Sequence, residues 1–187
     1  METLQAYTVR LGFPVLKTRR EFADLCNARG IVRAIEVGTD RGLFAESFLN
    51  RWDGEILVCV DNWTPYHEMP YDRTADLLMA VTLLAPFRTR IKIARGESLE
   101  LARPVGGYYR PGFIYIDCDH RYESVRADLD AWWPHLQPGG IFAGHDYMPE
   151  HDGVRRAVNE FAAGQGLDVH VTDDLNEYRS WWVEKPA

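Results

Sequence analysis

Five residues in two short segments carry side chains that could do chemistry together: Asp117, Asp119 and His120 in one, His145 and Asp146 in the other. Carboxylates mixed with imidazoles can hold a divalent cation such as Mg²⁺ through oxygen and nitrogen ligands. They can also work without metal, with His120 or His145 accepting a proton while a carboxylate fixes the tautomer. For either histidine alone, a structural hydrogen-bonding role is the plain alternative. What decides between these readings is whether the chain brings the two segments to one place.

The elements that must position them are legible as apolar runs. Phe113 to Ile116 precedes the first segment and Ile141 to Ala143 the second. Upstream, Ile31, Val32, Ala34, Ile35 and Val37 read as a strand covered on both faces, Glu55 to Val60 as a second strand ending on Asp61, and Arg90 to Ala94 as a third. Helical spacing is seen between them: Arg19 to Ala28 with Thr18 as cap and Gly30 as stop, Phe44, Phe48 and Leu49 after Gly42, Arg73 to Leu84, Tyr122 to Trp133 ahead of Pro134 and Pro138, and Val154 to Ala163. Strands alternating with amphipathic helices predict an α/β, doubly wound, mostly parallel sheet with helices on both faces. In such a sheet the carboxyl ends of the strands share one edge, so all five residues would meet beside the binding crevice.

The junction Glu36-Val37-Gly38-Thr39-Asp40-Arg41-Gly42 is where a nucleotide-like ligand would sit. Gly38 lets the backbone turn without a Cβ clash, and Gly42 lets a ligand or the helix approach closely. If ligand access is the role of Gly38, a β-branched side chain there should block binding yet leave a folded chain. The spacing is G-x-x-x-G, not the dinucleotide pattern G-x-G-x-x-G, and the Glu36 carboxylate would repel a pyrophosphate. Both features argue against a nicotinamide-dependent oxidoreductase. Glu36 is suited to orienting backbone amides or meeting a cationic ligand, and Asp61 to accepting hydrogen bonds from both hydroxyls of a ribose. Residues 61 to 73 hold Trp63, Pro65, Tyr66, His67, Glu68, Pro70 and Tyr71, which suits a lid over the crevice or, more plainly, a packed crossover loop. Lys17, Arg19 and Arg20 suit a solvated helix start or a local basic patch for an anionic substrate.

Composition narrows the class. A chain of 187 residues with 46% hydrophobic content can fill one core. Its formal charge of −7, with no basic stripe interleaved with aromatics, disfavours nucleic acid as partner. No apolar run approaches the roughly 20 residues that span a bilayer, and the start lacks a signal-peptide pattern, so the expectation is a cytoplasmic protein without membrane contact. Cys26, Cys59 and Cys118 lack metal-type spacing and read as reduced thiols. The expected partner is a small-molecule substrate, with a homo-oligomer left open.

Four stretches together resemble class I S-adenosylmethionine-dependent methyltransferases: Ala34 to Gly42, Val60 to Trp63, Ile114 to Glu123 with its D-x-D-H-x-Y segment, and Pro138 to Tyr147 with its G-G-x-x-x-G-H-D-Y segment. The nearest subgroup is related to small-molecule O-methyltransferases. The resemblance implies a Rossmann-like sheet of seven strands, the last two near Val169 to Val171 and Trp181 to Val183 with one antiparallel. Across residues 1–187 it implies a single domain, with residues 1–30 as an N-terminal helical extension. It implies S-adenosylmethionine bound by Glu36, Gly38, Thr39, Gly42, Asp61, Asn62, Trp63, Glu97, Ser98 and Asp117, with Glu97 and Ser98 flanking the adenine. In the metal-dependent members acidic residues end the fourth and fifth strands and are followed after the fifth by Asn. Asp117 and Asp146 match the acidic positions, while Tyr147 stands in place of the Asn. The implied activity is methylation of a hydroxyl on a sugar, polyketide or phenolic molecule, with His120 or His145 as base. A non-catalytic cofactor-binding or scaffold module is the alternative.

Overall fold

In a computed structural model, residues 15–173 and 178–187 are described. Expectations that fall on residues 1–14, including most of the N-terminal extension, lie outside them. The helix expected over residues 19–28 divides into a 3₁₀ turn, Arg19–Glu21, and α1, Phe22–Ala28. Thr18 makes no side-chain cap, and the Lys17 amide just ahead of it donates to Glu21 Oε2 at 2.7 Å.

Next come β1 (Arg33–Val37), α2 (Leu43–Leu49), β2 (Ile56–Asp61), α3 (Thr74–Leu84) and β3 (Ile91–Arg95). After β3 the chain enters α4 (Ser98–Leu101), a π-helical turn over Ala102–Gly106 and α5 (Gly107–Tyr109), a stretch with no strong sequence signal. Pro104 sits in the π turn, where its missing N–H and bulky ring disfavour ordinary α-helical bonding. The remainder is β4 (Phe113–Ile116), α6 (Tyr122–Trp132), β5 (Ile141–Gly144), α7 (Asp152–Gln165), β6 (His170–Val171) and β7 (Trp181–Glu184).

The seven strands form one sheet in the order β3-β2-β1-β4-β5-β7-β6. All pairings from β3 through β5 are parallel, and β7 runs antiparallel to both β5 and β6, as expected of the last two strands. Alternation along β4 shows how the sheet is covered on two faces. Phe113 and Tyr115 join Phe22, Phe44, Phe48 and Trp52 in one apolar layer, while Ile114 and Ile116 join Val125, Leu129, Trp132 and Phe161 in the other. Strand order reverses between β1 and β4. Val37 lies level with Val60 and with Ile116, and Ile116 with Gly144. Gly38, Asp61, Asp117 and His145 therefore leave the sheet along one edge, the position of a ligand crevice in open α/β sheets. No described helix is long and apolar enough to cross a membrane.

Candidate active site

A cleft of about 760 Å³ opens along that edge. Its floor is the turn after β1. Gly38 has φ of +93°, and a Cβ on it would lie 1.9 Å from the carbonyl oxygen of Asp117. The glycine is thus required by close passage of the β1 and β4 ends, so the ligand-access reading alone does not account for it. A Cβ on Gly42, at φ +81°, would lie 3.3 Å from Ala80 and Leu84 of α3; of the two options read for it, helix approach is the one its surroundings use. Glu36 is buried at 1% exposure and lines the cleft, and its Oε2 has no partner. Burial pushes its carboxyl well above the usual range, and the negative charges of Asp117 and Asp61 add to this. Thr39 Oγ1, also buried and on the cleft lining, lacks a partner too. Two orphaned polar groups on the floor of a cleft are what a ligand bearing a positive charge and hydrogen-bonding groups would satisfy.

Asp61, at the end of β2, is held by two backbone amides: Asp40 N–H donates to Oδ2 and Trp63 N–H to Oδ1, each at 2.8 Å. Each oxygen keeps a lone pair for a diol. Asn62 donates to Glu97 Oε1 at 3.0 Å, linking the β2 and β3 ends. Trp63 is placed differently from the cofactor contact that the resemblance implies. It is buried, at φ +48°, with its indole N–H donating to the Asp40 carbonyl at 2.8 Å, and it does not line the cleft. It anchors the following segment to the turn. The far end of that segment is anchored by Arg73, which is buried and pairs with Asp40 and, at 2.9 Å, with Asp76. Between these anchors Tyr66 and Met69 line the cleft. The Ser98 hydroxyl is engaged by Trp132 and Asp128, a carboxylate that sequence reading passed over. Its signal was an acid placed on the apolar stripe of α6 beside Val125, Leu129 and Trp132.

The five chemistry-bearing residues do converge, though not equally. His120 Nε2 lies 2.7 Å from Asp146 Oδ2, at an angle poor for a straight hydrogen bond, and Nδ1 lies 2.9 Å from Glu68 Oε2. Burial alone would lower the His120 pKa, but Asp146 and Glu68 outweigh it and raise it to about 9. These carboxylates favour the imidazolium form of His120 at neutral pH. Asp146, at φ +57° and buried, is held well below the usual carboxylate range: burial opposes this, and His120 and His145 overcome it. His145 Nδ1 faces Asp146 Oδ2 at 3.3 Å and Asp117 Oδ1 at 3.7 Å, while its Nε2 is buried without a partner. His145 and Asp146 bound only a small void behind the cleft, whereas Asp117 and His120 also line the cleft itself. Asp119 also lines the cleft, and its carboxylate is engaged by Arg121 Nε at 2.8 Å and Ser124 Oγ at 3.1 Å.

Asp117, His120 and Asp146 can each offer one ligand atom within 4.8 Å of the others. Two oxygens and a nitrogen at that separation fit a divalent cation. Tyr147 takes no part, since its hydroxyl bonds Asn159 Oδ1 at 2.8 Å on α7. The third donor comes from the β4 end as His120, not from the residue after Asp146. Arg19 also reaches the cluster, 3.7 Å from Asp117 Oδ2.

The comparisons with known proteins bear on the fold. A family model described as a methyltransferase domain matches residues 35–147. No curated protein sequence matches the chain. Among solved structures, the O-methyltransferase from Bacillus cereus in complex with SAH is similar with a TM-score of 0.69 at 18% identity, over 97% of this chain and 84% of that one. The O-methyltransferase TomG from Streptomyces achromogenes, in complex with SAM, gives a TM-score of 0.69 at 16% identity, over 90% and 79%. Cofactor-bound Rv0187 from MTB gives 0.70 at 15% identity, over 97% and 84%. At such identities the likeness speaks for the fold, and it is the family model, spanning more than half of the chain, that places it: the chain belongs to the methyltransferase-domain family and has the fold of class I S-adenosylmethionine-dependent methyltransferases.

Proposed function

We propose that this methyltransferase transfers the methyl group of S-adenosylmethionine to a hydroxyl of a small sugar, polyketide or phenolic molecule. One juxtaposition carries the reading. The Glu36 carboxyl, whose Oε2 lacks a partner and which is suited to the cationic end of the cofactor, and Asp117 with His120, suited to handling a proton, line the same cleft. Asp61 would hold the ribose, and Gly38 and Thr39 the turn beneath the methionine portion. Asn62, Glu97 and Ser98 would frame the adenine end. Residues 61–73 act as a lid, and the whole is one domain working in the cytoplasm.

S-adenosylmethionine supplies a methyl on a positively charged sulfur, so the protein's part is to align the acceptor oxygen and lower the cost of removing its proton. A divalent cation, Mg²⁺ or Mn²⁺, would be held by Asp117, Asp146 and His120 and would acidify a bound hydroxyl. Without it, His120 fills the same place as a positive charge between Asp146 and Glu68. The test is a methyl-transfer screen over hydroxylated metabolites, with and without chelator, read as S-adenosylhomocysteine release. Absence of turnover on every hydroxyl acceptor, with turnover on amines, would overturn the assignment to oxygen.

A further inference from the structure

His120 meets a carboxylate at each ring nitrogen, and the two contacts differ. Nδ1 makes a good bond, 2.9 Å from Glu68 Oε2. Nε2 is sealed from solvent and, though 2.7 Å from Asp146 Oδ2, has no well-formed hydrogen bond. The unsatisfied nitrogen is thus the one that faces Asp146, its companion with Asp117 in the trio of possible ligands. An imidazole that gives a cation the lone pair of one nitrogen carries its single proton on the other. Here that other nitrogen already rests on a carboxylate, so the tautomer that ligation needs is the one from which Glu68 accepts.

Glu68 comes from a distant part of the chain. It stands in a tight turn closed by Tyr66 N–H donating to the Met69 carbonyl at 3.1 Å and Met69 N–H donating to the Tyr66 carbonyl at 3.0 Å. Trp63 and Arg73 fix the segment on either side of this turn. At its tip the Tyr66 hydroxyl reaches the same Glu68 oxygen at 3.4 Å, and His67 Nδ1 lies 3.9 Å from Asp119 Oδ2. Tyr66 and Met69 line the cleft, and so do Asp117 to Arg121. The Glu68–His120 bond therefore ties the segment after β2 to the segment after β4 where both border the cleft. Were the turn to lift, the carboxylate would leave the ring.

We propose that Glu68 is a positioning residue for the divalent cation: by holding the His120 ring with Nε2 turned to Asp146, it couples closure of residues 61–73 to metal binding. This rests on the cation reading above. Carboxylates behind a ligating histidine are worth about 10–100-fold in metal affinity. Coupling of this kind is reciprocal, so the ion holds the segment closed by the same factor by which the closed segment tightens the ion.

The experiment is Mn²⁺ titration by electron spin resonance, without substrate, on the wild type, Glu68→Ala, Glu68→Gln and His67→Ala. It is run at about pH 9.5, where protons compete little for Nε2 and the hold on the ring is what is read. Glu68→Ala should bind the ion about 10–100-fold more weakly. Glu68→Gln keeps an oxygen for the Nδ1 proton and should recover part of the loss, while His67→Ala should bind as the wild type does. Amide hydrogen exchange of residues 63–72 is the second readout: Mn²⁺ should slow it in the wild type and not in Glu68→Ala. An acid that only steadies the turn would, on removal, speed exchange with and without the ion and leave affinity unchanged. Undiminished Mn²⁺ binding by folded Glu68→Ala overturns the inference and leaves the cation reading standing. Equal loss in His67→Ala and Glu68→Ala would place the ion on His67, Glu68 and Asp119, whose donors also lie within 4.8 Å of one another, and overturns it too. No Mn²⁺ bound by the wild type overturns both readings. The exchange comparison on the wild type needs no variant, and exchange that ignores bound Mn²⁺ overturns the inference even if Glu68→Ala fails to fold.

Discussion

Gly38 packs against the main chain of Asp117 so closely that a single added carbon would sit 1.9 Å from its carbonyl oxygen. The turn after β1 and the acidic cluster are therefore one unit, because the residue that turns the chain also abuts the residue that starts the cluster. Gly38→Ala must move the β4 end or break the turn, and φ of +93° adds strain of its own. The expected loss is at least about 3 kcal/mol, seen as a lower denaturation midpoint before any ligand is added. A folded, equally stable Gly38→Ala that merely fails to bind cofactor would restore the ligand-access role.

Asp61→Ala should weaken S-adenosylhomocysteine by about tenfold or more, because hydrogen bonds to a charged acceptor are worth roughly 1.5–3 kcal/mol. Asp61 also holds the Asp40 and Trp63 amides, so the variant loosens the turn as well. Titration with 2′-deoxy and 3′-deoxy cofactor analogues separates the two effects. If Asp61 meets the ribose, each analogue loses affinity in the wild type and neither loses more in the variant.

Much of this was readable along the chain, and the reason is local. The strands are short apolar runs whose carboxyl ends must be level once the sheet is parallel, so Glu36, Asp61, Asp117 and His145 fall at one edge from pattern alone. What could not be read depends on contacts between distant segments. Nothing near His120 says that Glu68, fifty-two positions away, will bond its Nδ1 and join Asp146 in raising its pKa. Nothing in the aromatic content of residues 61–73 says that Trp63 turns inward while Tyr66 and Met69 face the cleft. The Ser98 hydroxyl, read as a cofactor contact, is committed to Asp128 by a tryptophan thirty-four positions on. Such partners are set by tertiary packing, which periodicity does not encode.

Glu68→Gln should lower the His120 pKa from about 9, since one of the three carboxylates that raise it is removed, while Asp146→Asn should lower it further. Histidine ring NMR titration reads this directly. The sign for stability follows. A histidine whose folded pKa exceeds its unfolded value contributes fully below about pH 6.5, and that contribution fades as pH rises through about 9. Glu68→Gln should thus destabilise the chain at pH 6 and have little effect at pH 10.

The cation reading makes the opposite demand on the same imidazole. To ligate through Nε2, His120 must give up its proton, so Mn²⁺ affinity should rise with pH up to about 9, by about tenfold per unit where one proton is displaced. Manganese electron spin resonance measures the bound fraction without any substrate. Asp146→Asn should abolish binding at every pH, since it removes an anionic donor from the trio. Pairing this with activity in chelator separates the two forms of the site. Turnover unchanged by chelator, with no Mn²⁺ bound at pH 9, would leave the imidazolium as the resident charge and remove the metal from the proposal.

Asp128→Asn gives a last prediction, on stability in the absence of ligand. The folded pKa of Asp128 is about 6, raised by burial, above the value of an unfolded carboxyl. The folded state then holds a proton that the unfolded chain has lost, so stability falls as pH climbs between about 4 and 6 and stays lower beyond. Asparagine keeps an acceptor for Ser98 and carries no charge to bury. The variant should therefore be more stable than wild type at pH 8, by about 1–3 kcal/mol, and indistinguishable from it at pH 4. Thermal unfolding at the two pH values checks this. An Asp128→Asn protein less stable than wild type at pH 8 would mean that the charged carboxylate is stabilised by more than the Ser98 hydroxyl.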